Sequence, residues 1–196
     1  MKRIAKLVSL LGMCFVAFLG AAREVGELGK YLAELASDNM TVRESAAQGI
    51  LLSRQREIAS IERIVREFVR DGTRKGTAKT AILLLGNLRS DQSVPLLVEN
   101  LSFEVFYKDT KRPQPPEDLY PCVGALIRIG MPSVAPVLSR AESSDDQKIS
   151  RCAGCVVQGV LGRKLAVAHV RERMEGLSDT AEHKRLEALL QNMGPP

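Results

Sequence analysis

Leu84-Leu85-Gly86-Asn87-Leu88, leading into Val94-Pro95-Leu96-Leu97, is answered 41 residues later by Leu126-Ile127-Arg128-Ile129-Gly130, leading into Val134-Ala135-Pro136-Val137-Leu138. Leu88 and Pro95 are seven positions apart, as are Ile129 and Pro136. The pattern reads as a helix ending near Gly86 or Gly130, a turn, and a proline early in the next helix, where its missing N–H leaves no bond unmade. A looser third copy, Val160-Leu161-Gly162 leading into 165–170, follows 32 residues on. Self-similarity at this period is the mark of helix pairs that bury their apolar faces against their neighbours.

Outward from these phrases the apolar spacing is helical from residue 24 onward, in segments of 10–15 residues broken by Gly, Pro, Asp and Ser. Helices are predicted over 41–52, 57–69, 73–85, 93–101, 119–129, 133–140, 146–161, 163–174 and 180–192, after a first one carrying Leu28, Leu32 and Leu35. No stretch sustains the period-two alternation of a strand. Each pair's second helix is also expected to start on an Asp followed by a base: Asp38 and Arg43, Asp71 and Arg74, Asp146 and Arg151, Asp179 and Lys184. Such an Asp accepts from free backbone N–H groups and complements the helix dipole, and the base can pair with it or with the neighbouring repeat's Asp.

On 31–47, 85–97 and 125–138 the chain resembles the HEAT-like repeats, including those named for phycobilisome lyases. The resemblance covers 24–192 and implies an all-α fold, an α-solenoid of about four to five antiparallel helix pairs in a HEAT/armadillo-like superhelix. Two departures stand out, a long insertion in the third pair and a weakly matching first helix.

Composition agrees with helix packing. Hydrophobic residues make up 45% of the chain and aromatics only 4%, with no Trp, so small and straight apolar side chains supply the core. The formal charge is +5, but Lys2, Arg3 and Lys6 precede the uncharged run 7–22 and account for three of the 28 cations. Without them the balance against 23 acids is +2, and the charge is dispersed rather than gathered in the dense stripe of a nucleic-acid binder. The basic start, the 16-residue run and Gly20-Ala21-Ala22 read as a signal peptide over 1–22, or an uncleaved N-terminal anchor, ahead of a repeat domain at 23–196. The chain is therefore expected to be exported, periplasmic or secreted, with inner-membrane anchoring as the alternative.

Catalytic chemistry finds little material. His169 and His183 belong to no metal or triad spacing, and no phosphate loop, Gly-x-Ser-x-Gly elbow or His-Glu-x-x-His occurs. Cys152-Ala-Gly-Cys155 has Cys-x-x-Cys spacing, but a zinc site lacks two further ligands and a thioredoxin-type site lacks its strand. Two readings of the cysteines stay open: small core residues, or a disulfide from Cys122 to Cys152 or Cys155. No catalytic, cofactor or metal residue is expected.

The insertion 102–118 is the most informative irregularity. Of six aromatics beyond residue 22, four (Phe103, Phe106, Tyr107, Tyr120) fall in it or beside it. Lys108, Lys111 and Arg112 add charge, and Pro113, Pro115 and Pro116 favour an extended backbone. Loops this long in compact domains are usually functional or disordered, so these residues are candidates for partner binding, with pinning of the loop to the repeat edge, or plain disorder, as the alternatives. The expected function is a non-catalytic scaffold that binds another protein, not nucleic acid, and meets a membrane only if its leader stays attached. The alternative is an accessory or chaperone-lyase-like module holding a small molecule or peptide for a partner enzyme.

Overall fold

The computed structural model describes residues 27–53, 57–106 and 115–193, and among them it is all-α, without a strand. The expected leader over 1–22 lies outside the described residues. No described helix is long and apolar enough to cross a membrane. The chain divides into two units, Met1–Glu57 and Ile58–Pro196.

In the first unit, α1 (27–35) and α2 (Met40–Leu52) bury Leu28, Leu35, Ala46 and Ile50. Gly49 lets the helices close up, since a Cβ there would stand 2.6 Å from the Tyr31 ring. The start of α2 departs from the predicted Asp rule. Asn39 caps it, its Oδ1 accepting from the Thr41 and Val42 amides at 3.0 and 3.4 Å. Arg43 turns back to donate to the backbone carbonyls of Ser37 (2.9 Å) and Asp38 (2.7 Å). Asn39, one residue later, stands at the cap position itself, and the arginine serves the carbonyls.

The second unit contains α3 (Ile58–Asp71), α4 (Lys75–Asn87), α5 (Val94–Glu99), the short α6 (Pro116–Leu119), α7 (Pro121–Ile129), α8 (Val134–Glu142), α9 (Gln147–Leu161), α10 (Arg163–Glu175) and α11 (Thr180–Asn192). Contacts run between near neighbours: α3 with α4, α5 with α7, α8 with α9, α10 with α11. In addition α4 packs on α7, α7 on α9, and α9 on α11. Small residues set these approaches. A Cβ on Gly86 would lie 2.6 Å from the Ala125 Cα, and one on Gly159 would lie 2.6 Å from the Ile127 Cδ1. Gly86, expected near a helix end, is the penultimate residue of α4, and α7 packs where its side chain would be.

The two quoted phrases fold into matching turns. Each passes through a short 3₁₀ turn, Asp91–Ser93 or Met131–Ser133, before the next helix begins at Val94 or Val134. The register of the turns is therefore 40, so Pro95 is the second residue of its helix and Pro136 the third. Both turns end on a fully buried serine. Ser133 Oγ donates to the Leu126 and Gly130 carbonyls (3.1 and 2.7 Å), whereas Ser93 Oγ reaches across to Glu62 Oε1 on α3 at 2.7 Å.

Of the other expected helix starts, Asp146 and Asp179 behave as predicted, accepting from the Lys148 amide (2.8 Å) and the Ala181 amide (2.7 Å). Asp71 ends α3 rather than starting α4, and Arg74 lies over the Phe68 ring at 5.4 Å. Ion pairs between helix pairs do form, one of them a single residue away from the expected positions. Arg185 grips Asp145 through Nε (2.6 Å) and Nη2 (3.2 Å) and donates to the Glu142 carbonyl (2.9 Å). Arg173 on α10 grips the Glu142 carboxylate on α8.

The Asp145 pair has a pH signature. The hydrogen bond from Arg185, and then its charge, hold the Asp145 carboxyl below its ordinary value. A depressed folded-state pKa means the pair's contribution is complete above the unfolded carboxyl's value, about 4, and is lost as pH falls through the folded one. In Arg185→Gln, the Asp145 resonance followed by NMR should titrate at higher pH than in the parent chain. An unchanged midpoint would show that the pair does not persist in solution.

Candidate interaction face

Three adjacent helices, α4, α7 and α9, carry Lys75, Lys79, Arg128, Lys148 and Arg151 without a single Asp or Glu. The signs are mixed on α3, which interleaves Glu62, Glu67 and Asp71 with Arg63, Arg66 and Arg70. The base of the insertion lies on this acid-free face. Lys79 Nζ donates to the Asp118 carbonyl at 3.3 Å. Gly124 gives α6 room: a Cβ there would meet the Glu117 carbonyl oxygen at 3.3 Å and Arg128 Nη1 at 3.5 Å. From the other edge, Lys148 Nζ meets Glu104 Oε2 at 3.0 Å. Lys75, Arg128 and Arg151 make no ion pair with any described residue.

The expected binding residues divide. Val105, not Phe103, is the buried anchor: it is 4% exposed, and its amide donates to the Leu119 carbonyl at 2.9 Å. Phe103 is half-buried, and Phe106 stands 66% exposed. Tyr120 is buried, so its ring belongs to the core and only its hydroxyl, 3.5 Å from Glu104 Oε1, reaches the polar rim. Burial, then the charge of Glu104, raises the Tyr120 pKa. Tyr107, Lys108, Lys111 and Arg112 lie outside the described residues.

Beneath the face sit the cysteines. Cys122, Cys152 and Cys155 are free thiols in this structure, the first two buried and the third half-buried. Burial raises all three pKa values. Cys122 goes far up, Cys152 reaches about 12, and Cys155 is raised further by the nearby Glu117 charge. Groups held as thiols at neutral pH are poor nucleophiles and poor metal ligands. Among the described residues no cluster of three or more His, Cys, Asp or Glu is arranged to hold a metal ion. His169 is partly exposed, 3.8 Å from Glu172, and His183 is exposed on α11. The exposed cations of the face can bind a ligand through charge and hydrogen bonding.

Comparisons with family models, with curated proteins and with solved structures find no match for this chain.

The cations of the face were not singled out from sequence. Their signal was there, since 75–87, 121–129 and 147–161 hold no acid. A whole-chain balance averages that run away, and only the packing of α4, α7 and α9 side by side turns three separate absences into one surface.

Proposed function

We propose that the chain is an exported, non-catalytic α-solenoid scaffold of the HEAT-like kind, built to bind another protein. The observation that carries this reading is the unbroken sequence of contacts from α4 through α7 and α9 to α11, with partner helices α3, α5, α8 and α10 each packed on its own pair member. Helix pairs that meet only near neighbours make extended surfaces from short repeats. Between α5 and α7, in the middle of that row, the exposed Phe106 supplies an aromatic anchor of the type that dominates interface energies.

Capture of a partner from the native envelope fraction tests the reading, using the full chain and a variant with 107–114 replaced by a short Gly-Ser linker. That replacement leaves Glu104, Val105 and the Val105–Leu119 bond in place. Loop-closure entropy changes slowly with length, so stability should move by only about 1 kcal/mol. Partner capture should fall sharply. Capture of nothing by the parent chain would refute the scaffold, and undiminished capture by the variant would assign binding to the helices alone. Replacement of all of 102–118 is expected to unfold part of the unit, because it removes Val105 and Glu104.

A further inference from the structure

The face formed by α4, α7 and α9 is more specific than a general docking surface. On α4, Lys79 reaches α6 and Lys75 lies one turn before it. On α7, Arg128 and Gly124 lie one turn apart, both beside Glu117. On α9, Cys155 feels the Glu117 charge and Arg151 lies one turn before it. These residues therefore share the side on which α6 sits, and this side carries no acid of its own helices. Two acidic residues of the insertion approach it, Glu104 on Lys148 and Glu117, whose backbone carbonyl and Cβ lie beside Gly124, and Asp146, which caps α9, bears on Lys148 as well. The structure thus already seats one acidic segment here, close enough that a Cβ on Gly124 would crowd the Glu117 carbonyl oxygen at 3.3 Å.

We infer that this face binds an acidic segment of a partner protein, with Lys75, Arg128 and Arg151 as the cations that receive it beside α6. The inference rests on the scaffold reading and adds the chemistry of the partner. Arg128 and Arg151 are exposed and on adjacent helices, so they can pair with carboxylates spaced along one extended or helical peptide. Their guanidinium groups suit planar, bidentate recognition of a carboxylate. Exposed cations without ion-pair partners among the described residues also raise the association rate of an oppositely charged ligand and make its binding salt-dependent.

The test uses the full chain and a fluorescein-labelled ten-residue peptide rich in Glu, followed by fluorescence anisotropy at low and at physiological salt. The matched Gln peptide and a single-stranded oligonucleotide of equal charge serve as comparisons. The Glu peptide should bind, weaken as salt rises, and outcompete both comparisons. Arg128→Ala with Arg151→Ala should weaken it by roughly tenfold, while Arg128→Lys with Arg151→Lys, which keeps the charge but not the bidentate fork, should weaken it less and Arg171→Ala on α10 should change nothing. Thermal unfolding of each variant separates lost binding from lost folding. Equal binding of Glu and Gln peptides would overturn the inference, as would tighter binding of the oligonucleotide or indifference to the double Ala change. The scaffold reading fails separately. If the parent chain captures a partner and the double Ala variant captures it equally, only the acidic-segment inference falls; if no partner is captured, the scaffold itself falls.

Discussion

Gly86→Ala should destabilise the chain, although alanine is the better helix former. Inside an α-helix the exchange gains at most about 1 kcal/mol from propensity. Here the new Cβ would lie 2.6 Å from the Ala125 Cα and 3.0 Å from its Cβ, and the first of these is backbone that cannot rotate away. Forcing a methyl group into such a contact costs about 2–3 kcal/mol, so the net loss should be about 1–2 kcal/mol, and Gly86→Leu should exceed 3 kcal/mol by the same overpacking argument. Gly154→Ala is the matched opposite. It too is a buried helical glycine, on α9, but its Cβ would meet the Met193 side chain at 3.5 Å, an ordinary contact. There the propensity gain should survive as about 0.5–1 kcal/mol of added stability. Thermal and urea unfolding of the two variants should move in opposite directions. A stabilised Gly86→Ala would mean that α4 and α7 are further apart than the structure has them.

The second large effect is expected at Arg173. Its guanidinium grips the Glu142 carboxylate through Nε (2.5 Å) and Nη2 (2.9 Å), and Nη2 also lies 3.2 Å from Ser139 Oγ. The Glu142 side chain is only 9% exposed, so Arg173→Met would leave a carboxylate in the interior without its cation. Breaking a fully buried pair costs about 3–5 kcal/mol. Arg173 is itself 37% exposed, so solvent screens part of that, and about 2 kcal/mol is the expected loss. Arg66→Met is the comparison, since Arg66 is 58% exposed and pairs with Glu62 at 3.4 Å along one helix. That change should stay within about 0.5 kcal/mol. Adding Glu142→Leu to Arg173→Met should restore most of the lost stability, because two apolar groups then fill the space without a stranded charge. If the double variant is no better than Arg173→Met alone, the loss is one of packing and not of charge.

How far the sequence discloses this molecule depends on the kind of signal. Helix periodicity and turn residues are local, and there the expectations hold closely: 180–192 is the observed α11, and 146–161 and 163–174 differ from α9 and α10 by a single residue. The helix-start rule succeeds at Asp146 and Asp179 and fails at Asp38, because Asn39 competes for the same amides and wins by position. Gly86 lies at the end of α4 as expected, but a glycine that ends a helix and one that admits a neighbouring helix read alike in sequence, so the approach of α7 is not legible there. The insertion was recognised as unusual, but aromatic content drew attention to Tyr120, which folding buries, and away from Val105, which anchors it. The lysines and arginines of α4, α7 and α9 are separated by up to 76 positions, from Lys75 to Arg151. No window shorter than the packing itself could gather them.

The succession of near-neighbour helix contacts has a kinetic meaning as well. Within the second unit each helix packs against elements close to it in the chain, and the side-chain hydrogen bond of longest reach among the described residues, Lys148 to Glu104, spans only 44 residues. Contacts this local close small loops, and chains rich in them cross their folding barrier quickly. A helix leaving the ribosome would therefore find its docking surface already present in the segment made just before it. Assembly can advance in step with synthesis, with little apolar surface waiting exposed for a distant partner.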